Sequence, residues 1–546
     1  MTALTLCIVA EVTKADFFFG EPMSLGSTVN SSASDYGNCF AADDLEMYFT
    51  SERSGGFGSG DIWVSTRENT DDPWGPPANL GAPVNGPYSE SYPSLSSDGL
   101  TMYFSDAYSS SPRPGGVGGG DIWMTTRLSH DAPWSEPVNL GAPINSSDLD
   151  MSPTISGDDL TLVFTSRNRP GGNGSWDLWI STRASVQDPW GSPVNLGSSL
   201  NSGNWDGESG ISRDGLALFY GTGRTGLAGA ADIWMSTRRT PASEWAVGVS
   251  LSSVVNSGSN DGTARLSADM RTLYFCSDRP GGLGSYDLFK LPIISLVDFN
   301  GDGKAGIEDL VRLIESWGQS DPAMDIGPGP WGDGVIDAAD LEVFMSQWGQ
   351  TVDDPTLVAH WPFDETDGAV VADNVGGNDG YALGDPSWQP DGGQVGGALE
   401  FDALDDFISA PTVLNPADGP FSVLVWVKGG GPGQGIISGS GGSDWLSLNP
   451  LTGGLMTDLK ASGRGAAPLL SQAVIADGNW HQIALVRDGS YRTLYVDGIA
   501  VAEDTQDNLE GSASGLFIGC GDPTQLGTFF SGLIDDVRIY NRAVKP

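Results

Sequence analysis

The chain has 546 residues, 39% hydrophobic content, 77 glycines and a formal net charge of −44. Such a length exceeds a single core and predicts about two to four domains, while the absence of any apolar run near twenty residues argues against a helical membrane span. The acidic field excludes nucleic acid and anionic membrane surfaces as partners and favours divalent cations.

Residues 1–15, MTALTLCIVAEVTKA, carry a short apolar core without a positive start, which reads as a truncated signal segment or a ragged arm. Beyond them a unit repeats. Its Asp-Ile/Leu-aromatic core stands at Asp61, Asp121, Asp177, Asp232 and Asp287, with spacings of 60, 56, 55 and 55 residues. Each copy holds four short strand-like runs, in the second copy SYPSLS, LTMYFS, DIWMTTR and PVNLG, separated by Ser-Asp-Gly, glycine-rich and Pro-Trp turns. Four strands per repeat around a ring predict a β-propeller blade. The fourth-strand signature also appears ahead of the first copy as FGEPMSLG, residues 19–26, while the fifth copy ends without one. The N-terminal segment is therefore expected to supply the missing outer strand and close a five-bladed ring. The motif S-x-R-x-G-G-x-G-x-x-D-[IL]-[WF] resembles the TolB-type, WD-like propeller repeat. The fourth copy departs from it, with Leu227 in place of the second paired glycine.

Two charges recur with the repeat. Asp35, Glu90, Asp150, Asp206 and Asp261 lie eight residues before the aspartates of the Ser-Asp-Gly-like turns, and Arg53, Arg113, Arg169, Arg224 and Arg279 lie eight before the Asp-Ile/Leu-aromatic motif. Five carboxylates near one channel mouth need cations, raised pKa values or fixed donors. They form either an axial cation site or, paired with the arginines, a repeated structural device. Glu208 is the one acid without counterparts. The four cysteines, Cys7, Cys39, Cys276 and Cys520, contain no CxxC pair. Cys39 and Cys276 would become neighbours on ring closure and are a candidate bridge.

After Ile294 the texture changes. Asp298, Asn300, Asp302, Lys304 (through its carbonyl) and Asp309 occupy positions 1, 3, 5, 7 and 12 of a Ca2+ loop, with Gly303 at the turn. A helix should follow, with Leu310, Leu313, Ile314 and Trp317 on its apolar face. In a second unit Asp333, Asp337 and Asp340 take positions 5, 9 and 12. Gly329 and Trp331 break positions 1 and 3, and Asp325 is placed to enter from upstream. The duplicated loop-plus-helix units with aspartate at position 12 resemble a type I dockerin, which implies calcium-dependent folding and a cohesin-like partner. Positions 10 and 11, often Ser or Thr in that family, are Ile307 and Glu308, then Ala338 and Ala339.

From Leu357 onward, alternating runs broken by Asp-Gly and Gly-Gly turns predict an all-β sandwich. The set W-x-F-D, F-S-V-x-x-W-V, W-H-x-I-A-L-V-R, Y-V-D-G and I-D-D-V-R-I-Y-N-R resembles a laminin-G-like, concanavalin A-type jelly roll. That resemblance implies a glycan or protein ligand, often with one calcium. Asp364, Asp373, Asn378 and Asp535 are then candidate ligands, and Trp388 and Trp445 candidate sugar platforms.

Catalysis finds little support. Only His130, His360 and His481 are present, no Ser-His-Asp set assembles within one domain, and no Gly-x-Ser-x-Gly elbow occurs. The enzymatic alternative uses carboxylates, since five-bladed propellers include glycosidases with axial acid and base. Its candidates here are Asp35, Asp150, Asp206 and Glu208. The sequence thus predicts a mainly β protein: a five-bladed β-propeller (16–295), a small α dockerin-like calcium module (296–350), a linker (351–355) and a β-sandwich jelly roll (356–546). The expected function is that of a secreted, extracellular or cell-surface, non-catalytic calcium-binding protein for adhesion, scaffolding, or carbohydrate or protein binding. The alternative is a carbohydrate-active hydrolase.

Overall fold

The computed structural model describes residues 17–106, 113–224, 228–321, 323–439, 443–460, 467–507, 509 and 515–546. The signal-like segment with Cys7, and Leu227 of the fourth repeat, lie outside the described residues. By contacts the chain divides into two compact units, residues 1–296 with 313–346, and residues 297–312 with 347–546.

In the first unit five antiparallel sheets form the blades of a propeller. The first runs Asp35–Phe40, Glu46–Ser51, Asp61–Thr66 and Ala78–Asn79, and the next three repeat that order. The fifth, Asp261–Leu266, Thr272–Ser277 and Asp287–Ser295, is completed by the N-terminal strands Met23–Ser24 and Phe17–Phe19. Met23 pairs with Lys290 and Phe18 with Ile294, so the outer edge of the last blade is covered.

The repeated residues explain why these segments fold as blades. The motif aspartate turns back on its own glycine loop: Asp177 Oδ2 accepts the Asn173 N–H at 3.0 Å, and Asp287 Oδ2 accepts the Leu283 N–H at 2.6 Å. A Cβ on Gly172 would stand 2.1 Å from that Asp177 oxygen, which is why the loop needs glycine there. One further recurring residue locks each blade to the turn that follows. Asn85 donates to the Ile62 carbonyl at 2.8 Å and accepts the Ile62 N–H at 3.0 Å, and Asn30, Asn145, Asn201 and Asn256 do the same in the other blades. The anticipated bridge is absent: Cys39 and Cys276 are both free and buried, and burial pushes both thiols up, Cys39 to about 12.

The second unit holds a sandwich of two eight-stranded sheets. Phe421–Gly429 lies at the centre of one, flanked by His481–Asp488 and Ser531–Tyr540. Its core gathers Trp361, Phe401, Val425, Trp445, Leu485 and Ile539, all nearly inaccessible. The helix after the first acidic loop is Ile307–Glu315. Its expected apolar face is only partly used. Leu313 is buried, whereas Ile314 and Trp317 are 55% and 45% exposed, because Trp317 lies past the end of a nine-residue helix and Ile314 shares its outer stripe with Ile307 and Val311.

Candidate functional site

The repeated carboxylates are structural. Arg53 meets Asp35 at 2.6 Å, Arg113 meets Glu90 at 2.7 Å, Arg169 meets Asp150 at 3.0 Å, Arg224 meets Asp206 at 3.4 Å and Arg279 meets Asp261 at 2.7 Å, with every acid fully buried. The second carboxylate oxygen accepts from the turn four residues upstream. Asp150 Oδ2, for example, takes the Ser146 N–H at 2.6 Å and its hydroxyl at 2.8 Å. Each guanidinium also bonds a turn carbonyl, that of Val29 in blade one and Ile144 in blade three. With their oxygens spent in this way, Asp35, Asp150 and Asp206 are corrected as candidate acids or axial cation ligands.

Two residues past each of these acids the innermost strand breaks register with its neighbour. The residue at the break takes a left-handed backbone in all five blades: Gly37, Tyr92, Ser152, Glu208 and Thr263, with φ between 49° and 63°. Four non-glycine residues in that region store strain at one level of the propeller, which commonly marks a site where side chains are re-aimed. Strand pairing beside the break is kept by the neighbouring blade: Thr50 Oγ1 accepts the Tyr92 N–H and Thr165 Oγ1 the Glu208 N–H.

Glu208 is the acid of this ring. Its Oε1 accepts the Tyr92 hydroxyl at 2.9 Å and its Oε2 the Thr263 hydroxyl at 3.0 Å, which spans three blades. Burial raises its pKa above the usual carboxylate range, against the pull of those two donors. It lines a cavity of ≈470 Å3 with Tyr36, Tyr92, Trp205, Tyr286 and a second carboxylate, exposed Glu52. Aromatic walls around a buried acid suit a small, polyhydroxylated ligand that offers both apolar faces and hydrogen-bonding edges.

Among the described residues the first acidic loop draws three carboxylates together. Asp298 Oδ1 accepts the Gly301 N–H at 2.7 Å and Oδ2 the Gly303 N–H at 2.7 Å, while Asp309 accepts from Phe299 and Gly306 at 2.8 Å each. Oxygens of Asp298, Asp302 and Asp309 lie within 4.8 Å of one another. Burial, with Asp309 and Asp302 nearby, lifts Asp298 to about 7. Asn300 and Asp302 close local turns with Asp302 and Lys304. In the second loop Asp325 accepts from Asp333 and Gly334, and Asp340 from Ile326, Gly327 and Asp337. Those bonds repeat the ones that Asp298 takes from Asp302 and Gly303 and that Asp309 takes from Phe299, Asn300 and Gly306, the Gly301 bond aside. Asp325 thus takes the place of Asp298 in this pattern, with the four extra residues falling between Gly327 and Asp333, and Asp337 caps the helix Ala338–Ser346 through Ala339. Hard oxygen donors around a glycine turn fit calcium.

The sandwich candidates divide. Asp373 and Asn378 satisfy one another at 2.9 Å in a closed turn, whereas Asp364 and Asp535 both bind the loop 393–397: Asp364 takes the Gly397 N–H, and Asp535 those of Gln394 and Val395. Burial, helped by Asp536 and Asp364, lifts Asp535 to about 7. Trp445 is 1% exposed in the core, so it is no sugar platform, and the indole of half-buried Trp388 donates to the Gly368 carbonyl. Sequence reasoning missed the axial tyrosines and Trp205, because they occupy positions with no common residue type from blade to blade.

A model of the concanavalin A-like lectin/glucanases superfamily matches residues 402–546. No curated protein matches the chain. Among solved structures, Trypanosoma rangeli sialidase is 12% identical, covers 96% of each chain and has a TM-score of 0.34. Domain 4 of AbnA, a GH43 extracellular arabinanase from Geobacillus stearothermophilus, in complex with arabinotriose, is 21% identical over 35% of this chain and 94% of that one, with a TM-score of 0.27. The binding domain of Paraclostridial Mosquitocidal Protein 1 is 14% identical over 34% and 49%, with a TM-score of 0.29. The expectation of a non-catalytic protein is corrected by this company, which includes sialidases and part of an arabinanase. At such scores the alignments transfer no residue and no activity; what the chain has is a five-bladed propeller and a concanavalin A-like sandwich.

Proposed function

We propose that this is a carbohydrate-directed protein in which the sandwich binds glycan and the axial pocket of the propeller holds a sugar against Glu208. The observation that carries the reading is Glu208 itself. It is the acid on the strained ring, its carboxyl held by the Tyr92 and Thr263 hydroxyls with no arginine paired to it as in the blade acids, and burial raises its pKa. A carboxyl whose pKa is raised suits a proton donor to a leaving oxygen, and Glu52 on the same pocket offers a second carboxylate, the two kinds of group that glycoside hydrolysis uses. The blades belong with TolB-type repeats by their motif. The acidic loops bind calcium as dockerin-like units do, through Asp298, Asn300, Asp302, the Lys304 carbonyl and Asp309, and through Asp325, Asp333, Asp337 and Asp340. Calcium loops of millimolar affinity suit an extracellular or cell-surface setting, where a cohesin-like partner would also be met.

The test is turnover on a panel of chromogenic glycosides that includes sialosides and arabinosides, together with binding of residues' natural polymers to the full chain. Glu208→Gln should abolish turnover while leaving glycan retention by the sandwich intact. A panel without turnover, and with no sugar whose binding to the full chain is weakened by Trp205→Ala, overturns the axial reading.

A further inference from the structure

One ring below Glu208 the innermost strands carry Cys39, Ser94, Thr154, Gly210 and Arg265, each the first residue after the register break. Four are small and uncharged. Arg265 is 5% exposed, yet no ion pair reaches it among the described residues. Its Nη1 donates to the Ala264 carbonyl at 3.2 Å and reaches the Glu208 carbonyl at 3.5 Å, while Nε and Nη2 have no acceptor. Room for the guanidinium is made by Gly210, where a Cβ would stand 3.0 Å from Nη1. Burial lowers the Arg265 pKa only to about 10, so the charge persists at neutral pH.

A buried cation with two idle donors is costly unless something answers it. The space beside it is a cavity of ≈100 Å3, lined among others by Arg265, Cys39, Ser94, Thr154 and Arg213, and no carboxylate residue lines it. Ser94 Oγ accepts the Ile155 N–H at 3.1 Å and Thr154 Oγ1 the Ile211 N–H at 3.3 Å, which leaves both hydroxyl protons to point elsewhere. Exposed Arg213 adds positive charge at the mouth, its Nη1 held by the Ala42 carbonyl. The side chains named here offer donors, and the carboxylates bonded to lining residues, Asp44 to Ala268 and Asp159 to Ser97, do not themselves line the cavity. At about 10–15 Å3 of such space for one water, the volume has ample room for a small ion with water around it.

We infer that the propeller axis binds a small inorganic anion, a halide or a tetrahedral oxyanion, through the free Nε and Nη2 of Arg265 and the hydroxyls of Ser94 and Thr154. The ion neutralises the guanidinium and joins blades two, three and five at their innermost strands. The site lies one level from the Glu208 pocket, and Glu208 acts on Arg265 electrostatically across that level.

The experiment uses the full chain in a bulky sulfonate buffer at constant ionic strength, titrated separately with bromide and with sulfate while the melting temperature is followed. A saturable rise is expected with at least one ion, and which ion gives it separates the halide from the oxyanion. Thr154→Val, nearly isosteric, should weaken that binding at least tenfold, and Arg265→Met should abolish it. Should Arg265→Met fail to fold, Thr154→Val and the anomalous signal of bromide-soaked crystals carry the test. A bromide or sulfate peak beside Arg265 supports the site. No saturable rise with either ion, or a rise unchanged in Thr154→Val, overturns it.

Discussion

Replacing Asp150 by asparagine tests whether the repeated carboxylates hold the ring or serve a ligand. In the native blade Asp150 Oδ1 faces Arg169 at 3.0 Å, and Oδ2 takes both the Ser146 N–H and hydroxyl. An amide of the same shape has one oxygen, so it can serve Arg169 or Ser146 but not both, and its NH2 group must face a donor. The guanidinium, stacked over Phe164 and Trp179 and 10% exposed, then keeps its charge without a counter-ion. Breaking a buried pair in this way costs about 3–5 kcal/mol. For a propeller of about 280 residues the unfolding entropy is roughly 0.6 kcal/mol per degree, so the propeller transition should fall by about 5–8 °C. Differential scanning calorimetry of the full chain reads this directly, with the sandwich transition as internal control. A shift below about 1 °C, or a loss of sugar binding without loss of stability, would show that the acids face a ligand and would refute the assignment.

Glu208→Gln makes the same chemical change with the opposite expectation. Folding raises the Glu208 pKa, so its contribution to stability is fully present below the unfolded value near 4.5 and is lost as pH rises towards the folded one. Denaturation at about pH 4.5 and pH 8 should therefore find the variant gaining on the wild type at the higher pH, and a gap that does not grow with pH counts against a buried, protonated Glu208. Chelation by EDTA should lower the melting temperature, and millimolar calcium should restore it. Asp309→Ala, which removes the acceptor for the Phe299, Asn300 and Gly306 N–H groups, should abolish part of that response, and calorimetry without calcium uptake would reject the site. Trp445→Ala should destabilise the sandwich by about 3–5 kcal/mol through an unfilled cavity; chemical denaturation monitored by far-UV circular dichroism checks it, and a loss below 1 kcal/mol contradicts its place in the core.

Much of the propeller was legible because its signals repeat at fixed offsets. The Asp177 type of aspartate, the paired glycine before it and the Arg–acid partners are each tied to backbone that every blade shares, so counting residues finds them. The Asn85 type was equally visible as a recurring asparagine, yet its bidentate grip on the next strand needs three dimensions to appear. The strained ring left no trace of that kind. Left-handed backbone is ordinarily announced by glycine or asparagine, and only Gly37 obeys; Tyr92, Ser152, Glu208 and Thr263 are held there by the bulge and by hydroxyls such as Thr50 and Thr165 from adjoining blades. Loop spacing could suggest Asp325 but not settle it, because the four-residue insertion disguises a hydrogen-bond pattern that the backbone preserves. Ile314 and Trp445 mislead for a common reason. An apolar side chain in sequence does not state which of its faces a short helix or a two-sheet core will cover.

Symmetry supplies the remaining step. Five copies of one blade offer five chances to place a residue at each position, and a side chain that serves the blade is demanded five times over. The Asp35 and Arg53 types meet that criterion, and every one of them is consumed by its own repeat. A ligand on the axis meets all five blades at once and has no five-fold symmetry of its own, so it is answered by residues that differ around the ring. Glu208 at the strained level and Arg265 one level below are the unrepeated charges at equivalent backbone positions, each with polar capacity that its own blade does not use. The acid lines an aromatic cavity of ≈470 Å3, the base a smaller one of ≈100 Å3. The same fold therefore presents two different chemistries along a single axis, and the residue that breaks the repeat identifies each.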